Sequence, residues 1–203
     1  IANTGTLNSR LKQKGWYAGD IHVHRNCGDG SPVYSVDTLV AGMKRNGLSV
    51  MSVLADMGNG EVYNPETDLK LITGKEALQS TPDAIVQWDA EWHWDATYAN
   101  FSKQALGGHL VLLGLTNASQ MWAESPKEIL KWAKEQDAVR GFAHIEYLSG
   151  EIPTKLNCCI PVDLPVEAAL KNIDFVSTDV FGSYSPNSGS YFGKQSLEVY
   201  YKM

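Results

Sequence analysis

Four apolar stretches of this chain run into a histidine or an acid at or just past their ends, which limits both the architecture and the chemistry open to it. Residues 17–24 (YAGDIHVH) alternate apolar and polar positions and finish on two histidines. Residues 48–54 (LSVMSVL) lead to Asp56, residues 84–88 (AIVQW) lead to Glu91, and residues 139–144 (VRGFAH) end on His144. Short runs of this kind, bounded by turn residues, read as strands. A fifth, residues 107–115 (GGHLVLLGL), carries His109 near its start, and a sixth, residues 173–180 (IDFVSTDV), follows a short helix at residues 166–170.

Helices fall between these strands. Ser35 is placed to cap a helix of about ten residues (VDTLVAGMKRN) that Gly47 ends. Ser125, Pro126 and Glu128 form a capping box with proline at the first helical position, opening a helix that runs to Gln136. Strands separated by helices or by segments of crossover length predict a parallel α/β fold, in which active sites collect at the carboxyl ends of the strands. At 203 residues and 43% apolar composition a single domain is expected, with residues 153–165 (PTKLNCCIPVDLP) as a surface excursion and not a linker.

Charge narrows the partners. The net charge is -6 and no run of like charge exceeds two residues, which argues against a nucleic-acid groove and against docking on an anionic membrane. No stretch approaches the roughly twenty apolar residues of a membrane span. A small-molecule substrate is the expected partner, and the oligomeric state is not encoded. The three cysteines, Cys27, Cys158 and Cys159, are odd in number and two are adjacent, poor geometry for a mutual bridge. Cys27 reads as a structural turn residue or, three positions after His24, as a ligand. The chain starts at Ile1 without an initiator methionine or a leader, which favours export over the cytoplasm. Residues 196–203 (SLEVYYKM) read as helix without a stop signal, so a fragment of a longer chain is expected.

The chain has five histidines, and each falls at or just beyond a predicted strand end. His22 and His24, at i and i+2, point to one face, so both imidazoles can hold one ion with Val23 packed behind. Taken alone, His-Val-His also fits an ordinary half-exposed strand. Glu91 sits where a strand leaves the core; a carboxylate there needs a cation and reads as a bridge between two ions, with a helix-cap or salt-bridge acid as the alternative. His109 after Gly107-Gly108, and His144 after Gly141-Phe142-Ala143, have glycines that permit close backbone approach to a site, although either alone would read as a satisfied structural histidine. Asp20, two positions before His22 and on the same side by alternation, reads equally as an acceptor orienting an imidazole or as an exposed strand-edge acid. Asp56 reads as ligand or general base, or as a turn cap. His93 is a proton-transfer candidate, turned from Glu91 if the strand continues and toward the site if a loop begins there. Arg25 could neutralise an oxyanion or lie solvated at the surface. Trp92 and Trp94 are equally placed for a substrate wall or for packing, whereas Trp88 reads as core.

Gly19-Asp20-Ile21-His22-Val23-His24, followed by Asp29-Gly30 and the helix opening Ser35-Val36-Asp37, resembles the first motif of the PHP (polymerase and histidinol phosphatase) superfamily of metal-dependent hydrolases. Ala90-Glu91, Gly108-His109-Leu110 with Leu113-Gly114-Leu115, and Gly141-Phe142-Ala143-His144 follow in the order and approximate spacing of its later metal motifs, nearest to its carbaryl-hydrolase-like (CehA/McbA-type) branch. The resemblance covers residues 15–203. It implies a distorted (β/α)7 barrel, incomplete here at its C-terminus, holding up to three divalent ions (Zn, Mn or Fe), of which one or two are expected in this chain. His22 and His24 would bind one, His109 and His144 a second, with Glu91 between them.

Two departures stand out. Ala55-Asp56-Met57-Gly58 replaces the family's Thr-Asp-His-Asn, so a histidine for a third ion is missing, and methionine is a poor ligand for hard ions. The family's late Asp motif has no counterpart before Met203. The expected activity is hydrolysis of a phosphoester, carboxylic ester or carbamate by a metal-bound hydroxide. The alternative is a metal- or ligand-binding module of the same fold without turnover. An amidohydrolase barrel also opens with His-x-His but recruits a lysine, and no lysine lies on these strand ends.

Overall fold

The computed structural model describes residues 10–26, 30–58, 62, 64–93, 108–118, 126–143 and 163–177. Along the chain these form β1 (Gly19–Val23), α1 (Val36–Arg45), β2 (Val50–Asp56), α2 (Glu66–Leu69), β3 (Ile85–His93), β4 (His109–Leu113), α3 (Pro126–Lys134), β5 (Val139–Ala143), α4 (Leu164–Ala169) and β6 (Phe175–Val176). The six strands make one mixed sheet in sequential order, curved into a half-barrel. The α/β class is as expected, but the sheet is not all parallel.

The pairs β1/β2, β2/β3 and β5/β6 are parallel, while β4 is antiparallel to both β3 and β5. An apolar run buried on both faces reads the same in either direction, so its pattern carries no sign of orientation. The reversal has a consequence for chemistry. His109 opens β4 instead of closing it, and pairs in register with His93 on one side and Ala143 on the other. The amino end of β4 therefore lies among the carboxyl ends of its neighbours.

Local sequence sets the limits of α1 as expected, whereas α3 ends at Lys134, short of Gln136, and α4 starts two residues before the expected Val166. The Ser35 hydroxyl accepts from the Thr38 amide at 3.1 Å, Asp37 lies in the first turn of α1, and Lys44 and Arg45 lie in the last. At the other end Gly47 adopts φ 70°, the Gly47 amide donates to Lys44 O at 3.1 Å, and Leu48 donates to Met43 O at 3.0 Å. This pair of bonds is a Schellman stop, which needs the left-handed residue glycine supplies. Ser35→Ala is expected to cost about 1 kcal/mol in denaturant unfolding, by orphaning one amide of the first turn.

The sheet's two faces differ in kind. One packs Met51, Val53, Val86, Trp88, Ala90, Trp92, Leu110, Leu112 and Phe142 against Val40 and Met43 of α1, Leu69 of α2, Ile129 and Leu130 of α3, and Leu164 of α4. Every described helix thus contributes to one face. The other carries a small cluster of Leu54, Val111 and Ala143 with Leu113 and Phe175, and also buries the polar side chains of Ser52, Asp56, Asp89 and Glu91. Polar groups are withdrawn from water only where partners satisfy them, so this second face is where a site would be built. No described helix is long and apolar enough to cross a membrane.

Candidate metal centre

β1 delivers its histidines through a slip in register. Asp20 pairs with Met51 but Val23 with Val53, so β1 takes one more residue than β2 between these points. An extra residue on one strand re-aims the side chains beyond it. Val23 turns inward and packs against the helix-covered core, leaving His22 and His24 on the opposite face. Their rings meet edge to face, with centroids 5.1 Å apart.

Glu91, near the end of β3 and 3% exposed, receives both histidines and a third. Its Oε2 lies 3.3 Å from His22 Nε2 and 2.6 Å from His24 Nε2, and its Oε1 lies 2.9 Å from His109 Nδ1. One oxygen faces the pair from β1 and the other faces β4. The ligand atoms of His22, His24 and Glu91 all fall within 4.8 Å of one another, a group that could hold a metal ion. The donors fit such an ion: two imidazole nitrogens and a carboxylate oxygen are the set seen in catalytic Zn sites with an open fourth position, and suit Mn and Fe as well.

Asp56 closes β2 and pairs in register with Glu91, so the two share a face. Its carboxylate is buried and accepts from the Gly58 amide, the turn-capping role weighed from the sequence, while its position leaves it beside Glu91. Next to it, Met57 donates its amide to Glu91 O at 2.8 Å and sends a fully buried side chain into the core. The residue that replaces the resembled family's histidine therefore packs, and offers nothing to an ion.

Asp89 was not among the sequence candidates. It lies two positions before Glu91 on the same face, one layer deeper, with Ser52 Oγ donating to its Oδ2 at 2.6 Å and the Gly114 amide to its Oδ1 at 2.6 Å. Burial pushes its carboxyl above the usual carboxylate range, and the bonds from Ser52, Gly114 and Leu115 oppose that push. It ties β3 to β2 and to the turn where Gly114 takes φ 79° after β4. An acid between Trp88 and Ala90, in alternation with Glu91, was the available signal.

Three sequence assignments are placed elsewhere. Asp20 does not share the imidazole face, because the register slip intervenes; its carboxylate accepts from the backbone amide of His22 at 3.0 Å. Arg25 is neither solvated nor aimed at the second face, because its guanidinium is held by Asp68 and lies 5.9 Å from the centroid of the Trp88 ring. Trp92, 1% exposed, sits in the helix-covered core and has no surface to offer a substrate. β3 continues through His93, and alternation then gives positions 91 and 93 the same face, opposite to the expectation for a continuing strand. His144, Trp94 and Cys27 lie outside the described residues.

The glycines also divide. Gly108 takes φ 95° immediately before His109, a turn into the site strand that other residues rarely adopt. Gly141 serves packing, since a Cβ there would stand 2.3 Å from Phe175 O. Compared with known proteins, the chain matches no family model and no curated protein.

Proposed function

We propose that this protein is a metal-dependent hydrolase of the PHP type, cleaving a small phosphoester, carboxylic ester or carbamate. The observation that carries the reading is the division of Glu91 between its partners, Oε2 toward His22 and His24 and Oε1 toward His109. A carboxylate so divided, and so buried, suits a position between two divalent ions, Zn, Mn or Fe, with His144 as the further ligand on the His109 side. When bound, such ions activate water near neutral pH and offset negative charge developing on the substrate.

The chain's own groups have distinct parts. His22 and His24 fix one half-site, His109 fixes the other, and Glu91 joins them. Asp56, in register with Glu91, is the group to accept and return a proton, with His93 as a second candidate. Helices gathered on one face of a curved sheet, with the polar cluster on the other, support a distorted (β/α)7 barrel over a doubly wound sheet, which carries helices on both faces.

The test is a panel of p-nitrophenyl phosphates, phosphodiesters and carboxylic esters, assayed on chelator-stripped protein with and without added Mn or Zn. Metal-restored turnover of at least one class is expected. Stoichiometric metal with no turnover of any class would instead favour a binding module, a reading to which buried Met57 lends its one specific support.

A further inference from the structure

Immediately after His24 the chain is fastened at three points, none of which touches the metal-binding face. Arg25 Nε donates to Asp68 Oδ2 at 2.8 Å and Nη2 donates to Asp68 Oδ1 at 2.5 Å, the two-pronged geometry that only a guanidinium supplies. Nη1 donates to Tyr34 O at 3.2 Å, and the Tyr34 amide returns a bond to Arg25 O at 2.9 Å. The guanidinium also lies over the Trp88 ring. Asp68 belongs to α2 and is buried, Tyr34 precedes the cap of α1, and Trp88 stands three residues before Glu91 on β3.

We infer that the Arg25–Asp68 pair is a positioning clamp that holds His24, and through it His22, at the correct height beside Glu91 for metal binding. β1 is an edge strand among the described residues, paired only with β2, and its register with β2 has already slipped before the histidines. Backbone pairing alone therefore leaves the end of β1 poorly fixed. Arg25 compensates by joining it to a buried acid on one side of the core and to the strand of Glu91 on the other. The pair neutralises its own charge, so its influence on the metal is geometric and does not alter the net charge around the ligands. A merely structural ion pair would be indifferent to which strand end it held; this one is adjacent in sequence to a ligand.

The inference rests on the metal reading above, and the test separates the two. Zn2+ affinity of the full chain is measured by competition with a chromophoric chelator, at a temperature where circular dichroism shows each variant folded. In Arg25→Lys, which keeps the charge but loses the fork, and in Asp68→Asn, affinity is expected to fall roughly 10–100-fold, as for other residues that orient a ligand without touching the metal. The double variant should be no weaker than the worse single one. Ile129→Val, a core change on α3, which packs against β5, controls for general loss of stability and should leave affinity unchanged; His22→Ala marks loss of a ligand itself. Unchanged affinity in both clamp variants beside a weakened His22→Ala overturns the clamp alone. An equal drop in Ile129→Val also overturns it. Unchanged affinity in all variants, His22→Ala included, overturns the metal reading as well.

Discussion

Glu91→Gln is expected to remove stoichiometric metal and to lower hydrolysis by on the order of 10^3-fold or more, while leaving the metal-free protein folded. Glutamine keeps the shape and one carbonyl oxygen, but it has no second anionic oxygen to share. Since Oε2 faces His22 and His24 and Oε1 faces His109, the substitution disables both half-sites at once. Metals contribute several kcal/mol to charge stabilisation in hydrolysis, and each 1.36 kcal/mol is about a factor of ten, which sets the expected loss. Stability of the metal-free form should change little, because the glutamine amide can still hydrogen-bond to the three imidazoles around it. Metal analysis, a kinetic assay and a thermal melt of the metal-free form together read the result. A Glu91→Gln protein with its full metal complement would show that Glu91 is not a ligand.

The largest effect on stability is expected at Gly141. β5 and β6 pair there, Gly141 with Phe175, and an added Cβ would lie 2.3 Å from Phe175 O and 2.6 Å from Phe175 Cγ. The first of these is backbone and cannot rotate away. Gly141→Ala therefore forces β6 off the sheet, breaking the bond from the Asp174 amide to Arg140 O at 2.7 Å and the 3.0 Å ion pair between the same residues. Overpacking of this kind costs about 3 kcal/mol, read as a lower midpoint in denaturant unfolding. Exchange of the Asp174 and Ser177 amides should accelerate with it. Adding Phe175→Ala should not restore stability, because the carbonyl remains; full recovery in that double variant would mean the ring alone sets the constraint.

Much of this arrangement was legible in the chain. The ends of α1 follow from Ser35 and Gly47, whose side chain and left-handed conformation satisfy groups the helix leaves open. His22, His24, Glu91 and His109 could be grouped because each marks a strand end. What was hidden needed partners distant in sequence. The reversal of β4 leaves no trace in an apolar run, and the register slip of β1 depends on its pairing with β2. For the same reason strict alternation, carried across the slip, could not choose between the two roles weighed for Asp20, of which the exposed strand-edge position is the one its setting fits. Trp92 could not be distinguished from a substrate wall without knowing which face the helices cover. Arg25 found Asp68 43 positions away, beyond the reach of any local pattern. Asp89 was passed over because it stands among apolar residues, yet that setting is what makes its bonds to Ser52 and Gly114 necessary.

His22, His24 and Glu91 form a group that could hold a metal ion, and the central proposal is that a divalent ion binds there through two imidazoles and a carboxylate. X-ray absorption at the Zn edge of the loaded full chain tests it directly. The spectrum should show only nitrogen and oxygen neighbours at about 2.0–2.2 Å, with the outer-shell scattering of at least two imidazoles, and that imidazole signal should weaken in His22→Ala. A sulfur neighbour at about 2.3 Å would instead place the ion on a cysteine such as Cys27, and would contradict the assignment.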